Sequence, residues 1–204
     1  MSTTVDALLP LSLLEAVRNV DTPSDLEVEF VPELRNKRLG LSETVYAQIE
    51  RYADAAKRKQ PAVHDEAVAL AKLIGRRPDA EAVFREAGRY LAREAYNTVG
   101  ATTRSSLRTF PHFIARPWAL RVANRIAERY LQGGVRRVGS SVVLTVPDSV
   151  TLDSIPQGQG NGCVFYEACF RELLLLLLNV DGSVEHIRCA ARGEGACEWR
   201  AGWK

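Results

Sequence analysis

The first 162 residues contain no cysteine, and all four thiols, Cys163, Cys169, Cys189 and Cys197, fall in the last 42. A disulfide framework stapling the whole chain is therefore excluded. A chain of 204 residues does not need one, because folding at this size buries roughly 70% of the surface the unfolded form exposes. Histidine is scarce too: there are three, and only His186 lies near the cysteines. The net charge of +2 sets up no strong field, so neither nucleic acid nor a membrane is implied as partner by charge alone. Long apolar runs are missing. The most apolar stretch, "CVFYEACFRELLLLLLNV", is broken by Glu167, Arg171 and Glu172, and its six consecutive leucines fall far short of the roughly 20 residues that span a bilayer. The opening "MSTTVDALLPLSLLEAVRNV" lacks a basic start and carries Asp6, so no secretory leader is expected. A cytoplasmic, reducing setting follows as the expectation, in which clustered cysteines argue for thiols or a metal before disulfides. There is no Walker loop, dinucleotide fingerprint, G-x-S-x-G elbow, helix-turn-helix or standard zinc-finger spacing. No catalytic residue is expected.

Periodicity and punctuation predict mostly helix in the first part of the chain. Residues 7–19 read as a short helix and "LEVEFVP" (26–32) as a strand. Ser42 is an N-cap for an amphipathic helix, and helices follow over 64–75 and 79–97, the second capped by Asp79. The aperiodic 98–116 reads as a loop anchored by Phe110 and Phe113. A helix is expected from Pro117 in its first turn to Leu131, stopped by Gly133 and Gly134. "RRVGSSVVLTV" reads as one strand, 148–162 as a turn-rich connector, 163–178 as a helix, and 183–191 with 195–203 as a terminal hairpin. The expected fold class is α+β: an antiparallel sheet with the terminal hairpin packed against several helices, after a mostly helical N-terminal segment. Residues 1–80 are expected to form that segment and 81–204 the α+β domain.

The cysteines have metal-ligand chemistry. Cys189 and Cys197 are equidistant from Gly193, so a hairpin symmetric about that glycine sets them opposite each other, with Cβ atoms about 4.5–5.5 Å apart. That suits two thiolates on one ion, roughly suits a disulfide, and equally suits two small buried side chains. Cys163 opens a helix, where the helix dipole favours the thiolate. Cys169 lies roughly 240° round the same helix and is assigned to the core. The fourth ligand is open. His186 has the right chemistry, but strand alternation puts it on the face opposite Cys189, whereas Glu185 has the same parity. A bulge could bring His186 round, or Glu185 or water could complete the set.

"GCVFYEACFRELL" followed by "VEHIRCAARGEGACEW" resembles the C-terminal half of a 4-vinyl reductase domain, a family related in fold to transport-protein-particle (TRAPP) subunits. The family pattern is a Gly-Cys at a helix start, a Leu-rich helix, then C-x-A-x-G-x-x-x-C, here Cys189, Ala191, Gly193 and Cys197. The resemblance is strongest over 135–204. It implies a zinc ion on Cys163, Cys189 and Cys197, with a carboxylate of the family's aromatic-sensing members replaced here by His186. It also implies a homodimer with a hydrophobic pocket between sheet and helices. The polar residues that grip a phenol in the sensors find no clear match.

Other features complete the expectation. Phe110, Phe113, Trp118, Phe165, Tyr166 and Phe170 are the residues expected to line such a pocket, although the same types also build plain core. Eight arginines lie between 104 and 137 with Glu128 the only acid; Arg121, Arg125 and Arg129 share a helix face that could meet an acidic protein partner or stay solvated. His64 and His112 are isolated. The function expected is a non-enzymatic module that binds or senses a hydrophobic small molecule or lipid tail, stabilised by zinc and acting through a dimer or partner. The alternatives are a scaffold of TRAPP-like fold with a filled pocket, and an accessory factor in tetrapyrrole metabolism.

Overall fold

Seven α-helices and six strands occur among the residues that the computed structural model describes, 4–22, 39–147, 150–151, 162–179 and 182–202. The strand expected at 26–32 and nearly all of the glycine-rich connector lie outside these residues. In chain order the elements are β1 (Thr4–Asp6), α1 (Leu8–Asp21), α2 (Glu43–Lys57), β2 (Pro61–Val63), α3 (His64–Gly75), α4 (Ala80–Asn97), α5 (Ala101–Thr109) and α6 (His112–Ile126). Then come β3 (Gly134–Val138), β4 (Ser141–Val146), α7 (Cys163–Leu178), β5 (Val184–Arg188) and β6 (Cys197–Gly202). The fold is α+β, as the periodicity predicts.

Local chemistry explains the helix starts. Ser42 caps α2, its Oγ accepting the Val45 N–H at 3.4 Å. Asp79 occupies the N-cap position of α4, but its carboxylate is taken by Arg77 at 2.7 and 2.8 Å. Arg77 also reaches Asp21 at 2.6 Å, tying the turn before α4 to the end of α1.

Three expectations need correction. The stretch 98–116 is not a loop: α5 and the start of α6 form there, because Leu107 and Ala115 turn into the core and outweigh the low helix propensity of its Ser and Thr residues. Pro117 consequently lies inside α6, not in its first turn, where its missing N–H leaves the Phe113 carbonyl without the usual helical donor. The single strand expected over 136–146 is the β3–β4 hairpin, turning at Gly139 with φ +59°, a value hairpin turns favour and glycine supplies without strain.

Strand order in the main sheet is β3-β4-β6-β5, antiparallel throughout, so β6 is central and β3 and β5 are edges. One buried apolar cluster runs from Val5 to Ala201 and includes α1, α4, α7 and the sheet. Within it α4 crosses α7 closely at Gly88. A Cβ on Gly88 would lie 2.2 Å from the Phe165 carbonyl oxygen, so only glycine permits this approach. That crossing sets the position of the first turn of α7, and with it Cys163.

Candidate metal centre

Three separate elements deliver the cysteines. Cys163 is the first residue of α7, and the Gly162 carbonyl before it accepts the buried Thr151 hydroxyl at 3.0 Å. Cys197 is the first residue of β6, paired with Val146 of the central sheet. Cys189 follows β5 and leads into a short 3-10 turn, Ala190–Arg192, closed by Gly193 at φ +76°. Its N–H donates to the Glu194 carboxylate at 2.7 Å, and its carbonyl accepts from Arg192 N–H at 3.0 Å.

The alternation problem at His186 is resolved by a bulge. Pairing runs Val184↔Ala201, Glu185↔Arg200 and His186↔Trp199, then shifts by one residue to Arg188↔Glu198. Two residues, Ile187 and Arg188, therefore face one on β6, and the parity of β5 inverts. His186 shares a face with Trp199 and hence with Cys197, and beyond the bulge so does Cys189. The symmetry about Gly193 holds at Arg188↔Glu198, and the ladder ends there, one step short of Cys189 and Cys197. Glu185 faces away: its carboxylate pairs with Arg200 at 3.1 Å on the outer side of the sheet. It is thereby excluded from the cluster.

One ligand atom from each of Cys163, His186, Cys189 and Cys197 falls within a group spanning no more than 4.8 Å. All three cysteines are buried, and all four in the chain are free thiols. His186 Nε2 is buried without a hydrogen-bond partner. The His186 ring is held flat against Trp199, centroids 4.8 Å apart and 10° between planes, and Trp199 in turn stacks on Tyr166 at 5.2 Å. An apolar wall thus fixes the imidazole, leaving the cluster as the natural partner for its buried nitrogen. Ala190 N–H donates to the Cys197 sulfur at 3.3 Å.

The contact between Cys163 and Cys197 moves the two thiols in opposite directions. The adjacent Cys163 thiol, above all, draws the Cys197 pKa below the usual thiol value; the His186 imidazole and the Ala190 N–H reinforce this against the opposing effect of burial. Cys163 moves the other way, pushed up by its contact with Cys197 and then by burial. Cys169 is fully buried away from the cluster, and desolvation raises its thiol pKa.

The six aromatic residues divide into two groups. Phe165, Tyr166 and Phe170 are at most 1% exposed and belong to the core. Phe110 and Phe113 are exposed, and Phe110 lies 6.2 Å from the partly buried Trp118. Phe113 lines a cleft of about 400 Å³ with Arg116, Pro117, Leu120, Arg137 and Ser140, between α6 and the β3–β4 turn. Of the arginines expected on one face, Arg129 falls beyond α6 in a widened turn, Ala127–Leu131, and bonds Asp6 at 3.1 Å. His64 stands 3.6 Å from Asp65, remote from the cluster in sequence and element.

Sequence reasoning overlooked two supporting residues. Trp199 is two residues from Cys197, and strand alternation alone puts both on one face. Glu194 holds the Cys189 N–H from within the turn, and no spacing rule announces it. No family model matches the chain, and no curated protein matches it.

Proposed function

We propose that this chain is a non-enzymatic binding module in which one structural zinc ion, held by Cys163, His186, Cys189 and Cys197, locks the terminal hairpin to α7. The observation that carries the reading is the enclosed set of three thiols around a buried imidazole nitrogen with no other partner. Three soft donors and an imidazole suit zinc and disfavour calcium or magnesium. Four protein ligands leave no open coordination position, so the ion contributes stability and not Lewis-acid chemistry.

The module's ligand is a hydrophobic small molecule or lipid tail. What supports this beyond the family resemblance is the cleft beside Phe113, whose volume of about 400 Å³ falls in the usual small-molecule range of roughly 300–1,000 Å³. The homodimer rests on the resemblance, since Leu173, Leu174, Leu177 and Leu178 of the leucine-rich helix are absorbed by the chain's own core. The packing of Phe165, Tyr166 and Phe170 favours a second reading, a scaffold whose interior is filled by its own side chains.

Native mass spectrometry of protein purified without chelators separates these. A zinc-bearing dimer retaining a small-molecule adduct supports the binding module. A zinc-bearing chain with no adduct supports the scaffold. A metal-free chain overturns the zinc assignment.

A further inference from the structure

Seven large apolar side chains are exposed among the described residues, and three of them, Phe110, Phe113 and Ile114, lie close together where α5 meets α6. Phe110 follows α5, and Phe113 and Ile114 lie in the first turn of α6, alongside which the edge strand β3 packs. Phe113 is the most exposed of all, at 77%. The cleft shared by Phe113, Arg137 and Ser140 shows that α6 and the β3–β4 turn form one continuous surface. Scattered exposed apolar residues need no explanation, but a cluster does.

The same surface is basic. Seven and eleven residues on from Ile114, helical spacing returns to its stripe at Arg121 and Arg125, both exposed. Arg136 and Arg137 are exposed on β3. Arg136 alternates to the opposite face of the sheet and pairs with Glu198 at 3.3 Å, while Arg137 bonds a backbone carbonyl, that of Gly139, at 2.9 Å and no carboxylate among the described residues. Glu128 is the sole acid between 104 and 137, and its carboxylate accepts from Asn124 at 2.8 Å. The apolar corner is therefore followed by Arg121, Arg125 and Arg137, which pair with no carboxylate among the described residues.

We propose that this corner docks peripherally on an anionic lipid bilayer, Phe110, Phe113 and Ile114 entering the boundary between headgroups and acyl chains while Arg121, Arg125 and Arg137 meet lipid phosphates. Aromatic and aliphatic side chains beside arginines are the composition that interfacial contacts use. The shape favours a bilayer over an acidic protein. Phe110 and Ile114 stand exposed at a helix–helix corner, Phe113 is exposed at the edge of the cleft it shares with Arg137, and a fluid lipid surface requires no complementary shape. No helix among the described residues is long and apolar enough to cross a membrane, and the proposed contact is one of surface. It depends neither on the zinc reading nor on an occupied cleft.

The test is flotation of the full chain with vesicles of phosphatidylcholine alone and of phosphatidylcholine with phosphatidylglycerol, at low and high salt. Expected is binding to the anionic vesicles only, weakened by salt, and reduced about tenfold or more in Phe113→Ser/Ile114→Ser and in Arg121→Glu/Arg125→Glu. Circular dichroism matching the parent establishes that each variant is folded; the salt series on the parent chain tests the charge contribution without any variant. No binding to anionic vesicles, equal binding to neutral ones, or undiminished binding by folded Phe113→Ser/Ile114→Ser overturns the proposal. So does a parent dimer that Phe113→Ser/Ile114→Ser splits without any vesicle binding, which assigns the corner to a second copy of the chain.

Discussion

The sulfurs of Cys163 and Cys189 lie 3.9 Å apart although 26 residues separate them in the chain. A disulfide requires about 2.05 Å. Two thiolates on one tetrahedral zinc, each at about 2.3 Å, stand about 3.8 Å apart. The helix start and the strand end are thus already set at the separation that shared coordination demands, while the imidazole of His186 closes the remaining side.

Replacing Cys189 should abolish metal binding and lower stability together. An ion present at about 1,000 times its Kd contributes about 4 kcal/mol, which for a chain of this size is about 10 °C in Tm. Cys189→Ser should show that drop and no bound zinc. Cys169→Ser should lose about 1–3 kcal/mol by burying a hydroxyl in an apolar site, yet keep its full complement of zinc. Thermal melts paired with elemental analysis read both quantities. Loss of zinc in Cys169→Ser would contradict the assignment of that residue to the core.

The bulge exists because His186 and Cys189 are separated by an odd number of positions. Deleting Ile187 leaves them two apart, so a regular strand then presents both on one face. The deletion should therefore retain zinc, whereas His186→Ala should weaken affinity by more than the roughly 10- to 100-fold that loss of an outer-shell partner brings. Competition with a chromogenic chelator measures each.

Gly88→Ala sets two effects against each other. Alanine in mid-helix gains about 1 kcal/mol over glycine. Its Cβ, however, would meet the Phe165 carbonyl oxygen at 2.2 Å, and backbone cannot swing aside as a side-chain tip can. The clash should win, with a net loss of about 1–3 kcal/mol, the usual range for overpacking. Urea denaturation measures the loss, and a neutral or stabilised variant would show that α4 and α7 do not cross this closely.

Glu15 gives a pH dependence. Burial, first of all, raises its pKa above the ordinary 4.5, with Glu94 adding to the rise and Arg18 opposing it. A carboxyl whose pKa is raised by folding binds its proton more tightly in the native state, so its contribution is fully present below the unfolded value and is lost as pH rises through the folded one. Glu15→Gln should thus be more stable than the parent at pH 7.5, and the difference should shrink toward pH 4. Denaturant unfolding at the two pH values checks the sign.

The sequence made much of this architecture legible where one residue carries one unambiguous signal. Ser42 marks its helix start, and the break at Gly162 followed by apolar residues through Leu178 marks α7. The three cysteines and His186 were visible as a ligand set, but their joint face was not. It depends on a one-residue register shift at Ile187 that no local preference encodes and that pairing with the central strand β6 imposes. The stretch 98–116 misled for the opposite reason. Its Ser and Thr residues read as loop, and only burial of Leu107 and Ala115 against the rest of the core makes it helical. β1 and β2 escaped notice because each is three residues long and exists only through pairing with the other.

X-ray absorption at the zinc edge, on protein purified without chelators, tests the metal centre most directly. The account predicts one zinc per chain, with three sulfur neighbours at about 2.3 Å and one nitrogen at about 2.0–2.1 Å. Absence of zinc, or a first shell containing oxygen in place of the histidine nitrogen, would contradict it.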